Sequence, residues 1–415
     1  MATAGVFGVL LALCVVLTSA DDNCTPDDMA KENLQKLALA NNELAFNLHR
    51  KLAASSSENI FTSPLSISSA FGMLFYGARG DTAEELRKVL GYEKADLPDE
   101  LVHESFHRLL NEVLKSGGSS DPYVLNVANG ILLDDNMELI ADYKSDVQEL
   151  YKAEVRDVDF AKNSAQIVSE VNEWVKEKTN GKIDKLFDNL SPSTVMVLLN
   201  AVYFKGTWKY KFETRQTRQQ AFYNNGLESN KKDVSMMHMT ESFPYTSFDD
   251  FKALELPYKG ENVSMLVLLP NQRDGISALE SSMTPEKLSQ VQQRLYKIKV
   301  DVSLPKFKFD YSKELSPEIQ ALGAKDIFSA GTADFSGMTP SKKVFVSQIM
   351  HKAVIEVNEE GSEAAAVTGI IANRIRPMPP PLKMEFKADH PFLFAIIEKG
   401  STNNMVLFLG RVNKL

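Results

Sequence analysis

Six histidines and two cysteines are all the chain offers for metal or nucleophile chemistry in 415 residues. His103 and His107 stand four apart on a segment of helical spacing, so both imidazoles could face one ion. A third ligand is missing, and a solvated helical face accounts for the pair. Gly77-Ala78-Arg79-Gly80-Asp81 is loosely like an anion-binding turn and reads as well as a loop between helices. Lys205, Lys209, Lys211, Arg215 and Arg218 make a basic run near Trp208 and Tyr210. A solvated strand edge explains that run; polyanion (heparin) binding is the second reading and stays open. The Gly-x-Ser-x-Gly elbow, Walker loop and dinucleotide fingerprint are all missing. The chain reads as a protein that is not an enzyme and needs neither metal nor cofactor.

The oddest stretch is Glu359-Glu360-Gly361-Ser362-Glu363-Ala364-Ala365-Ala366-Val367-Thr368-Gly369-Ile370-Ile371, which leads through Arg374-Ile375-Arg376 into a proline cluster ending at Pro381. Ser362, Ala364, Ala366, Thr368, Ile370 and Ala372 alternate with Glu363 and Val367. Small or apolar groups on one side and Glu on the other would suit a strand that slides into a sheet. Two polar residues also sit where apolar ones are expected. Asn200 interrupts the run Val195–Phe204, and His351 lies on the apolar side of Val344–Val357. A buried amide or imidazole without a partner costs about 1–3 kcal/mol, so each must find hydrogen bonds. Either they are satisfied core groups, or they fasten two strands in a way that can be released.

The elements that must position these groups follow from pattern. The chain is 44% hydrophobic and 24% charged, with a formal net charge of −9, which excludes a disordered chain and argues against a nucleic-acid or anionic-membrane binder. Val6–Leu17 is an apolar run followed by Thr18-Ser19-Ala20, which reads as a signal peptide over residues 1–20, although its start carries no Lys or Arg. No later stretch is apolar enough for a membrane span. The expected product is a secreted, extracellular protein of residues 21–415 with Cys24 unpaired in its N-terminal tail. Asn23, Asn189 and Asn262 head glycosylation sequons, the second weakened by Pro192. Helical stripes appear at Leu34–Leu52, Ser66–Tyr76 and Ile167–Val175, the last stopped by Asn180-Gly181. Thr82-Ala83-Glu84-Glu85 reads as a capping box opening another helix. Val195–Phe204, Met265–Leu269, Val344–Val357 and Val406–Leu409 read as strands. Helices first and strands later, without β-α alternation, indicate an α+β fold.

Four motifs in order give this pattern a family likeness. Asn59-Ile60-Phe61-Thr62-Ser63-Pro64-Leu65-Ser66-Ile67-Ser68, Asn200-Ala201-Val202-Tyr203-Phe204-Lys205-Gly206-Thr207-Trp208, Glu359–Thr368 and Phe386-Lys387-Ala388-Asp389-His390-Pro391-Phe392-Leu393-Phe394 resemble serpin motifs, and the likeness covers the whole mature chain. The style is similar to arthropod members, including those of ticks. The resemblance implies one serpin domain with three β-sheets, about nine helices and an exposed reactive-centre loop over about residues 359–386. It implies a monomer that acts as a suicide substrate. A serine protease cuts the loop, forms a covalent acyl complex, and the loop's upstream half inserts into the main sheet. The resemblance makes Glu359, Glu360, Gly361, Ser362, Glu363, Ala364, Ala365, Ala366 and Thr368 the hinge. Ser63, Ser66, Asn200 and His351 become a shutter beneath the sheet, and Trp208 the breach where insertion begins.

Some serpins are carriers or chaperones, and the hinge separates them from inhibitors. Ser362 enters the sheet first, where a charged side chain would be stranded, and the alanines behind it add no bulk. The family's spacing of sixteen residues from Glu359 puts the attacked residue at Ile375. Chemistry points to the flanking arginines, because a trypsin-like pocket wants a cation. Arg376 precedes Pro377, which obstructs cleavage. Arg374-Ile375 is therefore the favoured bond, with cleavage after Ile375 by an elastase-like enzyme as the rival. The helix expected from Asp99 to Lys115 carries only Arg108 and Lys115 as fixed cations, which argues against heparin acceleration through it.

Overall fold

The computed structural model describes residues 25–114, 123–341, 343–360, 383–402 and 404–415. Nine α-helices and fourteen strands occur among these residues. Helix α1 (Pro26–Ser55) opens with a capping box, in which the Thr25 hydroxyl accepts from the Asp28 N–H and the Asp28 carboxylate accepts from the Thr25 N–H. Its leucine stripe lies against the core. Two buried asparagines on α1 act as substitute backbone: Asn41 donates to the Val406 carbonyl, and the Asn42 side chain accepts from the Val406 N–H while donating to the Asn404 carbonyl. After the short strand β1 (Ile60–Thr62) comes α2 (Pro64–Gly77), apolar on nearly every side because it runs through the middle of the molecule.

Helix α3 (Gly80–Val89) departs from the expected capping box. Its N-cap is Arg79, without a side-chain cap. Thr82 lies inside the helix and its hydroxyl accepts from the Asp334 N–H, while Glu85 accepts from the N–H groups of Lys325 and Asp326. Tertiary donors claimed both side chains before the helix start could. Helix α4 (Asp99–Val113) is followed by β2 (Tyr123–Asp134), α5 (Ala141–Tyr151), β3 (Glu154–Val158) and α6 (Phe160–Lys178). Asn180 and Gly181, both at positive φ, end α6 as their residue types suggest.

The main sheet adds β4 (Met196–Gly206), β10 (Phe307–Glu314) and β11 (Gln348–Val357), in the order β10-β11-β4-β2-β3. Strand β4 is buried on both faces, which explains its unbroken apolar run. Val197, Leu199, Ala201 and Tyr203 meet Ile167, Val171 and Trp174 of α6, while Met196, Leu198, Val202 and Phe204 join the central core. Strands β11 and β4 are parallel neighbours over eight residue pairs, Gln348–Ile355 with Val197–Phe204.

The other strands are β5 (Arg218–Tyr223), β6 (Lys231–Ser247), β7 (Phe251–Pro257), β8 (Val263–Pro270), β9 (Tyr296–Pro305), β12 (Met384–Lys387), β13 (Phe392–Glu398) and β14 (Met405–Val412), with α7 (Ile276–Ser282) and α8 (Pro285–Arg294) before β9 and α9 (Ser316–Leu322) after β10. They and β1 form one nine-stranded network. The network divides at β6, which meets β7 only at Tyr245–Ser247. On one side lie β7, β8, β13, β14 and β1; on the other, β5, β9 and β12. The three-sheet α+β expectation is met, with β6 shared by two sheets.

Candidate functional site

Three strands of the main sheet bring polar side chains into one lateral row. His351 of β11 stands opposite Asn200 of β4, and Asn200 opposite Asn129 of β2. All three are buried, as are Ser63 and Ser66 at the start of α2 beneath them. The Ser63 N–H donates to His351 Nε2 at 3.3 Å, which leaves the ring proton on Nδ1 to be given to the Asn200 side-chain oxygen. Asn200 Nδ2 then donates to Ser66 Oγ at 2.6 Å and to Asn129 Oδ1 at 2.7 Å. Ser66 Oγ donates onward to Asn129 Oδ1 at 3.0 Å, and Ser63 Oγ to the Leu407 carbonyl at 2.9 Å. Every donor in the chain meets an acceptor. Burial pushes the His351 pKa down to about 3, so the imidazole is neutral at physiological pH, as its acceptor role toward Ser63 requires.

The four residues assigned to the shutter are thus in mutual contact. Asn129 completes the group and was not found from the sequence. The signal was there, an amide followed by Gly130 inside the apolar stretch Val127-Ala128-Asn129-Gly130-Ile131-Leu132-Leu133.

At the upper end of β11 a second cluster holds the departing chain. The Trp208 indole donates to the Asn358 carbonyl at 2.8 Å and stacks on Tyr258 with ring centres 4.5 Å apart. Gly206 makes room for that stack, since a Cβ there would lie 2.4 Å from the Tyr258 ring. The Phe212 N–H donates to the Glu359 carbonyl, and the Glu359 carboxylate accepts from Thr217 Oγ1 at 2.8 Å and pairs with Lys306 at 2.7 Å. Burial pushes the Glu359 carboxyl up, but Lys306, its own backbone N–H and Thr217 outweigh burial and hold it below its ordinary value. Lys306 and Thr217 carried no sequence signal, because nothing local marks a partner for Glu359. Glu360 is exposed just beyond, its N–H donating to the Asn358 side chain.

Gly361, Ser362, Glu363, Ala364, Ala365, Ala366, Thr368, Arg374, Ile375 and Arg376 lie outside the described residues, as do the signal segment, Cys24 and Asn23. The chain is described again at Lys383 and enters β12, paired parallel to β9 at the edge of the sheet beyond β6. Asn189 and Asn262 are both exposed.

The rejected candidates separate. His103 is not on a solvated face: Nδ1 is 2.6 Å from the Tyr151 hydroxyl, and burial lowers its pKa to about 4. His107 instead meets the Glu149 carbonyl and Asn111. Among the described residues no three His, Cys, Asp or Glu side chains gather as metal ligands, and no helix is long and apolar enough to cross a membrane. The basic run is spread from β4 through the following loop to Arg218 at the start of β5, and Lys209 pairs with Glu261 while Arg215 lies 3.6 Å from Glu213.

Comparison with known proteins agrees with this geometry. The family described as Serpin (serine protease inhibitor) matches residues 39–415. Iripin-8 of Ixodes ricinus is 38% identical over 394 residues, covering 94% of this chain and 96% of the relative. Leukocyte elastase inhibitor of Equus caballus is 40% identical over 392 residues, covering 91% and 99%. The crystal structure of uncleaved ovalbumin superposes with a TM-score of 0.81 at 30% identity, covering 91% of this chain and 100% of that one. A parallel β11–β4 seam fastened by buried side chains, under a chain anchored at Glu359, sits in a protein that belongs to the serpin family.

Proposed function

We propose that this protein is a secreted suicide-substrate inhibitor of a trypsin-like serine protease, cut at Arg374-Ile375. The protease serine attacks the Arg374 carbonyl carbon, the amine of Ile375 leaves with a proton, and an ester joins Arg374 to the enzyme. The segment behind Arg374 then enters the main sheet and carries the protease with it.

The observation that carries this reading is the seam between β11 and β4. They are direct neighbours and parallel. A segment that leaves the top of β11 and turns back between them would run antiparallel to both. It would replace one parallel ladder with two antiparallel ones, and antiparallel pairing is the more stable per residue. Each added backbone hydrogen bond contributes about 1 kcal/mol net. Ser362 and the alanines behind it have side chains small enough for that interior.

The test is incubation with an arginine-specific protease, followed by denaturing electrophoresis and mass measurement of the released C-terminal fragment. An SDS-resistant adduct and a fragment beginning at Ile375 are expected; clipped product alone would overturn the proposal. The relative named for leukocyte elastase favours a second reading, cleavage after Ile375, in which the fragment begins at Arg376.

A further inference from the structure

We propose that Asn262 carries an N-linked oligosaccharide whose first sugars rest in the cleft beside it. The proposal builds on the secretory reading and goes beyond it by naming the site and its seat. Asn262 lies in the turn between β7 and β8, where the Tyr258 N–H donates to the Val263 carbonyl and closes the hairpin. Gly260 and Glu261 take positive φ, which turns the chain tightly just before it. The Lys399 N–H donates to the Asn262 carbonyl at 2.7 Å, so the main chain at this residue is fixed. The side chain is exposed, and its amide takes no hydrogen-bond partner among the described residues.

Asn262 lines a cleft of about 500 Å³ between the start of α1, α4 and the two hairpin turns. Buried Leu34, Tyr123 and Val263 line its floor, and Lys31, Glu112 and Lys259 its rim. Around that small apolar floor the lining is mostly charged and polar, with Asp27, Arg108 and Glu398 joining the rim residues, and this mixture suits a sugar, whose ring faces are apolar and whose hydroxyls seek hydrogen-bond partners. The volume lies within the range of small-molecule sites.

Burial also fixes when the sugar is added. Ser264, the third residue of the sequon, is 1% exposed in β8, where it pairs with both Pro257 and Ile397. A transferase can read Asn262-Val263-Ser264 only before β8 is paired. The donor is a lipid-diphosphate-linked oligosaccharide. The amide nitrogen of Asn262 bonds to the anomeric carbon, the anomeric C–O bond to the diphosphate breaks, and the lipid diphosphate leaves with the electron pair as the amide loses a proton. Folding then lays the attached sugars into the cleft.

The experiment uses the full chain produced in a eukaryotic secretory host. Intact mass should show one glycan that Asn262→Gln removes and Asn189→Gln does not. Enzymatic release by a peptide N-glycosidase should be at least tenfold slower from the native than from the denatured protein. Lys31→Trp, which fills the cleft and leaves the sequon intact, should keep the glycan and abolish that protection, even if Asn262→Gln fails to accumulate. A secreted chain without sugar at Asn262, or one released equally fast in both states, overturns the inference. A chain retained with residues 1–20 uncleaved would sink the secretory reading instead.

Discussion

His351 accepts from the Ser63 N–H and donates to Asn200, an arrangement open only to the neutral ring. Protonation would set an N–H against an N–H. Its pKa is lowered from 6.5 to about 3, so the unfolded chain takes the proton first and the folded state resists it. Stability from this residue is complete above about pH 6.5 and is lost as pH falls toward 3. His103, lowered to about 4, contributes in the same direction. His238 is lowered by burial too, so unfolding in urea between pH 7 and pH 4.5 should show falling stability, and His351→Gln should flatten that slope without abolishing it. Asn200→Ala leaves the buried His351 N–H without its acceptor and takes one donor each from Ser66 Oγ and the Asn129 oxygen, and is expected to cost about 2–4 kcal/mol in the same assay. Sequence alone marked Asn200 and His351 as misplaced polar groups; that they share one row with Asn129 depends on strand register, which no local pattern encodes.

Glu359 shows the same limit at the scale of elements. Its anchor comes from the β9–β10 junction through Lys306 and from the loop after β4 through Phe212 and Thr217. Lys306→Met should lower the chemical unfolding free energy by about 1 kcal/mol, a modest loss because the lysine is 40% exposed. Elements with one dominant periodicity were readable: the leucine stripe of α1, the α6 stripe with its Asn180-Gly181 end, and the doubly covered β4. Strands β2 and β3 are among the several strands that the sequence pattern did not reveal. Asn126, Asn129 and Gly130 break the apolar run of β2, and β3 is a short, mostly half-exposed strand at the sheet edge. Both exist because the sheet pairs them. The capping box at Thr82 failed for the complementary reason, since a distant segment supplied better partners.

For the whole molecule, the seam predicts a form more stable than the intact one. Limited cleavage within residues 361–382, if followed by insertion, should raise the melting temperature by tens of degrees; an unchanged melting point would show that the cut segment stays outside. If the segment behind the proposed cut does enter between β11 and β4, the polar row joining them must part for it to pass. Asn200→Ala should therefore speed insertion as it destabilises the intact protein, seen as faster formation of the SDS-resistant adduct.

The stitching of α1 to β14 has a consequence for how the chain is made. Asn41 and Asn42 need Val406 and Asn404, Asn59 needs Asn413 and Lys414, and β1 has β14 as its partner. The early elements therefore wait for residues 404–414, so a nascent chain cannot reach this arrangement until that segment has been synthesised. Until then its buried amides stand open, and a polypeptide ending before Met405 is expected to be held by chaperones and degraded, which pulse-chase labelling of that truncation would measure.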